Sequence, residues 1–175
     1  NLVPNHSFEE YNYCPTWYTS DASQFDQMIV DWYVPFSHKG TSDYWHGCDS
    51  FYPNNNAGIQ YAQHGQGYIG LHAYQTYYKD TREYAMVELI SSLEKDVSYT
   101  LSMWVSLADK CEVAVNGIGM ALISDTQMQS IPNQSHGSFV YSIPYALIAQ
   151  QPVSDKVNWA QLKTEYIANG DEKYV

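Results

Sequence analysis

Aromatic side chains set among hydrogen-bonding residues are the groups in this chain best suited to chemistry, and that chemistry is stacking against a hydroxyl-rich ligand. Two stretches carry them. One is Asp43-Tyr44-Trp45-His46, followed by Phe51-Tyr52-Pro53-Asn54-Asn55-Asn56; the other is Tyr74-Gln75-Thr76-Tyr77-Tyr78-Lys79-Asp80, with Arg82 and Glu83 just after. Sugars present flat C–H faces with a polar rim and bind where Trp or Tyr rings lie exposed beside donors and acceptors. Both stretches read as loops, where rings are more available than in strands. The candidate ligand-binding residues are therefore Tyr77, Tyr78, Arg82, Tyr44 and Trp45. The competing reading of Tyr44 and Trp45 is that they cap the core.

Catalytic patterns are weaker. The tightest carboxylate pairs are Glu9-Glu10 and Glu83 with Glu88. On a straight strand each pair points to opposite faces and cannot flank one glycosidic bond. There is no Gly-x-Ser-x-Gly elbow, Gly-rich phosphate loop, His-Glu-x-x-His or Asp-x-Asp calcium loop. The six His, at 6, 38, 46, 64, 72 and 136, are scattered and read as surface or turn residues. The expectation is a protein that is not an enzyme.

Three cysteines allow one disulfide and one leftover thiol. Cys14 and Cys48 sit in loop-like surroundings, Tyr13-Cys14-Pro15 and His46-Gly47-Cys48-Asp49, where a bridge most helps; Cys111 lies between two expected strands and is expected to be free. With no Cys-x-x-Cys, a zinc site is not expected.

The elements that must position these groups follow from composition and periodicity. Of 175 residues 45% are apolar, enough to bury a core, and only 15% are charged, against roughly 25% in a typical domain. Eight Lys and Arg against 19 Asp and Glu leave a net charge of −11, and Arg82 is the single arginine. Such a surface repels phosphate backbones and anionic lipid, so nucleic acid is not an expected partner. No stretch is apolar for the ~18 residues a membrane helix needs. The 17 Tyr, 5 Trp and 5 Phe suit a β-rich extracellular domain.

Residues 97–105 give the clearest strand: Val97, Tyr99, Leu101, Met103 and Val105 share one face, while Ser98, Thr100, Ser102 and a solitary Trp104 share the other. Residues 82–93 are expected as the first arm of a hairpin with it, across Glu94-Lys95-Asp96. Residues 113–123, apolar on both faces, read as a strand buried between layers. Further strands are expected at 58–62, 67–73, 138–143 and 159–168, and a long polar loop at 125–137. Short strands separated by Gly, Pro and Asn, with no long helix, predict an all-β fold, an antiparallel β-sandwich forming a single domain over residues 1–175. The ending Asp171-Glu172-Lys173-Tyr174-Val175 reads as a strand just beginning, so a final strand or further region is expected beyond it. The start at Asn1-Leu2-Val3-Pro4, with the cysteines, is read as the mature end of an exported protein.

The opening Asn1-Leu2-Val3-Pro4-Asn5-His6-Ser7-Phe8-Glu9-Glu10 resembles the Asn-Leu-Val-x-Asn-x-x-Phe-Glu start of galactose-binding-like jelly rolls, including many carbohydrate-binding modules. Tyr13-Cys14-Pro15, Gly40 through Cys48, Gly58-Ile59-Gln60, Gly67-Tyr68-Ile69-Gly70, Arg82-Glu83-Tyr84 and Val105 through Asp109 are similar to a domain of exported Bacteroidota envelope proteins. In that group an OmpA-like peptidoglycan-binding domain or a sorting signal often follows. The resemblance implies a jelly-roll sandwich and a secreted or outer-membrane-associated location. It also implies a structural Ca2+ held by the Ser7 carbonyl and the Glu9 carboxylate, a pairing suited to a hard cation. Cys14 and Cys48 stand in matching motifs, whereas Cys111 replaces a more usual serine-like residue. The functional expectation is a recognition or adhesion module with glycan as ligand. A structural or protein-docking part of an envelope assembly comes second, and a glycan-active hydrolase third.

Overall fold

The computed structural model describes residues 1–16, 18–35, 41–74, 82–130 and 143–175. In chain order the elements are α1 (Ala22–Met28), β1 (Trp32–Tyr33), β2 (Asp43–His46), β3 (Asn54–Asn55), β4 (Gly58–Ile59), β5 (Gly67–Gly70), β6 (Met86–Val87), β7 (Ser98–Val105), β8 (Gly119–Met120), β9 (Ile123–Ser124), α2 (Asp125–Ser130), β10 (Leu147–Ile148), β11 (Ala160–Ile167) and β12 (Glu172–Tyr174). Strands dominate and the helices are short, as the sequence predicts. Among the described residues the strands form six antiparallel pairs: β1–β6, β2–β5, β3–β4, β7–β11, β8–β10 and β9–β12.

The longest ribbon is β7–β11, in register from Val105 opposite Ala160 to Ser98 opposite Ile167. Its alternation is the one read from sequence. Ser98, Thr100, Ser102 and Trp104 are exposed, while Tyr99, Leu101 and Met103 are half-buried and Val105 is buried. The inward side chains close two clusters, one around Leu89, Leu93, Leu122 and Ala168 and one around Ala149 and Val153. A third cluster forms on α1. Asp21 caps that helix by accepting from Gln24 N at 3.1 Å, and Ala22 and Phe25, with Ile29 just beyond, share one face and bury against Trp32, Val34, Tyr44 and Val87.

Several expectations are corrected. Residues 82–93 do not form a hairpin with β7. Met86 and Val87 pair with β1, Val87 exchanges backbone bonds of 2.9 and 3.1 Å with Val175, and Leu89 N and Leu93 N donate to Lys173 O and Glu172 O. The stretch is thus sealed by the C-terminal residues, and Asp96, at φ 61°, sits in a tight turn closed by Val97 N donating to Glu94 O at 3.2 Å. Residues 113–123 are not one buried strand: Val113 is 47% exposed, and Gly117, at φ 81°, breaks the run before β8 and β9. The strand expected at 58–62 shrinks to β4, that at 67–73 to β5, and that at 159–168 is β11. The start of the expected loop 125–137 is α2. The remainder of that loop and most of the strand expected at 138–143 lie outside the described residues.

The Cys14–Cys48 disulfide is formed, with Cα atoms 5.9 Å apart, and fastens the segment before α1 to the turn after β2. Cys111 is free and half-buried, as expected. The last residues form β12, paired with β9.

Candidate functional site

Tyr44 and Trp45 sit on β2, opposite Ile69 and Tyr68 of β5. Tyr44 has no exposed surface and Trp45 only 8%. The Tyr44 hydroxyl donates to Phe8 O at 2.8 Å, and burial first, then the Glu9 charge, raises its pKa well above the usual phenol range. The Trp45 ring lies 5.3 Å from that of Tyr68 and occupies the space a Cβ at Gly70 would need. Both rings therefore serve the core, and neither presents a face to a sugar. Arg82 is half-buried; Tyr77 and Tyr78 lie outside the described residues.

Glu9 is a clamp between the N-terminal segment and β5. Its Oε1 accepts from Gln66 N and Gly67 N, both at 2.8 Å, and its Oε2 lies 3.9 Å from His46 Nε2. Burial lowers the His46 pKa, more than the Glu9 charge raises it. This carboxylate is therefore held by two backbone N–H groups beside an imidazole. Ser7, two residues away, is half-buried. Among the described residues no three His, Cys, Asp or Glu side chains converge as metal ligands would.

Aromatic faces come together elsewhere. Trp104 stands on the exposed side of β7, opposite Gln161 of β11. Period two puts Trp159, two residues before Gln161, on that same side. Tyr61 reaches the same place from the loop after β4. These three, with Ile59, Gln60, Gln63, Asp109, Lys156 and Asn158, line a cleft of about 460 Å3, within the ~300–1,000 Å3 of small-ligand sites. Tyr61 is 64% exposed and Trp104 43%, far above the level of core rings.

The cleft is preorganised by bonds across distant parts of the chain. Trp159 Nε1 donates to Tyr61 O at 2.9 Å, fixing the indole while leaving its faces free of that bond. Behind it, Tyr68 meets Trp159 edge-on at 6.0 Å, and Tyr52 meets Tyr61 edge-on at 5.9 Å. The Tyr52 hydroxyl accepts from Ala62 N at 2.8 Å, and Tyr68 Oη accepts from Asn55 Nδ2 at 2.9 Å. Burial pushes the Tyr68 phenol up to about 12, so it stays neutral.

On the polar side, Asp109 Oδ2 accepts from Ile59 N at 2.8 Å, and Lys156 Nζ donates to Asp109 O at 2.8 Å. The neighbouring turn is made by Asp155, which accepts from Val157 N and Asn158 N at 2.9 and 2.8 Å. Those two bonds, that from Asn158 N first, hold its pKa below the ordinary carboxylate value. The cleft thus offers aromatic faces with amide, carboxylate and ammonium groups at its rim, which is the chemistry of hydroxyl recognition. Asp155 spends its lone pairs on the turn.

The sequence marked Trp104 by its place on a polar face but did not join it to Tyr61 and Trp159. The three come from segments 43 and 55 residues apart (104 − 61 and 159 − 104); the β7–β11 register brings Trp104 beside Trp159, and the Trp159 Nε1 bond to Tyr61 O adds the third ring.

No family model matches the chain, and neither a curated protein nor a solved structure matches it. Among the described residues no helix is long and apolar enough to cross a membrane.

Proposed function

We propose that the protein is a non-catalytic, extracellular recognition module that binds carbohydrate in the Tyr61–Trp104–Trp159 cleft. The observation that carries this reading is the coincidence, in one open cleft of about 460 Å3, of the Tyr61, Trp104 and Trp159 rings with Gln63, Asp109, Lys156 and Asn158 in its lining. A protein-docking surface is the second reading of the same face, where Ile59 and Val157 stand exposed beside the rings. On this reading the antiparallel pairs are parts of a jelly-roll sandwich, and the disulfide suits an exported protein. Tyr77, Tyr78 and Arg82 rest on local sequence chemistry alone, and calcium at Ser7 and Glu9 on the family resemblance alone; the proposed binding in the cleft requires neither.

The test is a broad glycan array probed with wild type and with Tyr61→Ala/Trp104→Ala. Removing two stacking faces is expected to weaken binding at least about tenfold, at ~1 kcal/mol or more per face. An intact fold in the variant is checked by its near-UV and far-UV circular dichroism. Binding that survives both substitutions overturns the site.

A further inference from the structure

A second cleft, of about 450 Å3, lies beside the disulfide and is lined by Tyr13, Cys14, Thr16, Tyr18, Ser20, Gln24, Gln27 and Met28. It draws on different elements from the first and stands independently of it. Tyr13 is 65% exposed and Tyr18 51%, yet the backbone beneath Tyr13 is fixed. Cys14 is bonded to Cys48, Asn12 N and Tyr13 N donate to Met28 O at 2.7 and 3.4 Å, and Asn12 Nδ2 donates to Gln27 O at 3.2 Å. An exposed ring on an anchored backbone loses little entropy on binding.

The opposite wall is the polar face of α1. Because Ala22 and Phe25 face the core, Gln24 and Gln27, three residues apart, share the exposed side. Gln24 Oε1 accepts from Ser20 N at 2.8 Å, which orients the amide. The Gln27 side-chain amide and the Tyr13 hydroxyl have no partner among the described residues. Each of these groups can both stack or pack and hydrogen-bond.

Among the described residues the lining is also uncharged. In a chain with 19 acidic residues and a net charge of −11, no described Asp, Glu, Lys, Arg or His lines this cleft, whereas Asp109 and Lys156 line the first. Tyrosine faces and primary amides without charge match a neutral ligand rich in hydroxyl groups. We propose that this cleft is a second saccharide-binding site, selective for uncharged sugars, so that one chain carries two sites of different electrostatic character.

The experiment is calorimetric titration of neutral hexasaccharides (cello-, manno-, xylo- and laminari-series) into wild type, Tyr61→Ala/Trp104→Ala and Tyr13→Ala/Gln27→Ala. A proline-rich peptide serves as a control for the other ligand class that tyrosine grooves accept. Both substituted pairs are solvent-exposed, and thermal melts confirm folding. The expected result is that Tyr61→Ala/Trp104→Ala retains one site for these neutral saccharides. Tyr13→Ala/Gln27→Ala is expected to weaken that site at least about tenfold. Saccharide binding by Tyr13→Ala/Gln27→Ala indistinguishable from wild type, with all binding lost in Tyr61→Ala/Trp104→Ala, overturns the second site and leaves the first. Binding that only Tyr13→Ala/Gln27→Ala removes supports the second site and overturns the first. Peptide binding without saccharide binding, or no binding of either, overturns the proposal.

Discussion

Glu172 gives the sharpest stability prediction. Its side chain is 2% exposed, yet it is a carboxylate. Oε1 accepts from Tyr166 Oη at 2.5 Å, Asn169 N at 2.8 Å and Asn169 Nδ2 at 3.1 Å; Oε2 accepts from Gly170 N at 2.9 Å and Asp171 N at 3.2 Å. Burial by itself raises the pKa, but the Tyr166 bond and then the backbone bonds outweigh it and bring it from 4.5 down to about 2. The folded state thus binds this proton less tightly than the unfolded chain. The carboxylate's stabilisation is complete above about pH 5 and disappears as pH falls through about 2. The fall from 4.5 to about 2 corresponds to roughly 3 kcal/mol. Glu172→Gln keeps one acceptor but places an NH2 against N–H donors, so it forfeits that stabilisation at every pH. The assay is urea unfolding of wild type and variant from about pH 2 to 7, read as the difference between the two. That difference is expected to grow from near zero at pH 2 to roughly 3 kcal/mol above pH 5, and the subtraction removes the titration of the other carboxylates. A flat difference across the range refutes the reasoning.

Removing the disulfide as Cys14→Ser/Cys48→Ser is expected to cost about 4 kcal/mol, from the entropy of a loop spanning a separation of 34 residues, measured by urea unfolding. Burial pushes the Asp43 carboxyl up to about 6, against the Thr19 bond and with the Glu83 charge adding to it. Its raised pKa means that stability falls as pH rises from about 4 to 6. Asp43→Asn, which keeps an oxygen for Thr19 N, should abolish that component and melt higher than wild type at pH 7. Gly67→Ala would drive a Cβ into the Phe8 carbonyl oxygen, where backbone must move, and is expected to cost about 1–3 kcal/mol in urea unfolding.

Legibility followed the range of the interactions. Strand β7 was plain in the sequence because nine alternating residues carry the whole signal locally, and Trp104 fell on its polar face for the same reason, though only the fold decides whether a loop covers it. The disulfide was legible because two of three cysteines share loop chemistry. The partner of β7 was not, since neighbouring apolar runs at 82–93 and 159–168 both offered one and register depends on packing. The first run was taken by β1 and the C-terminal residues. Tyr44 and Trp45 illustrate the limit for sites. An aromatic pair beside turn formers looks the same in sequence whether it stacks on a ligand or fills the core, and here two buried positions of β2 claimed it. Trp159 and Tyr61 were hidden because nothing local distinguishes a ring that meets others from distant segments.

The most direct test of the central claim is the binding of array-identified glycan to wild type and to Trp104→Ala/Trp159→Ala, by titration calorimetry. The two rings flank the cleft and belong to the paired strands and the turn that build it. The account predicts saturable binding by wild type that weakens by at least about tenfold in the variant while the fold is retained. A wild type that binds no glycan, or a variant that binds as well as wild type, contradicts it.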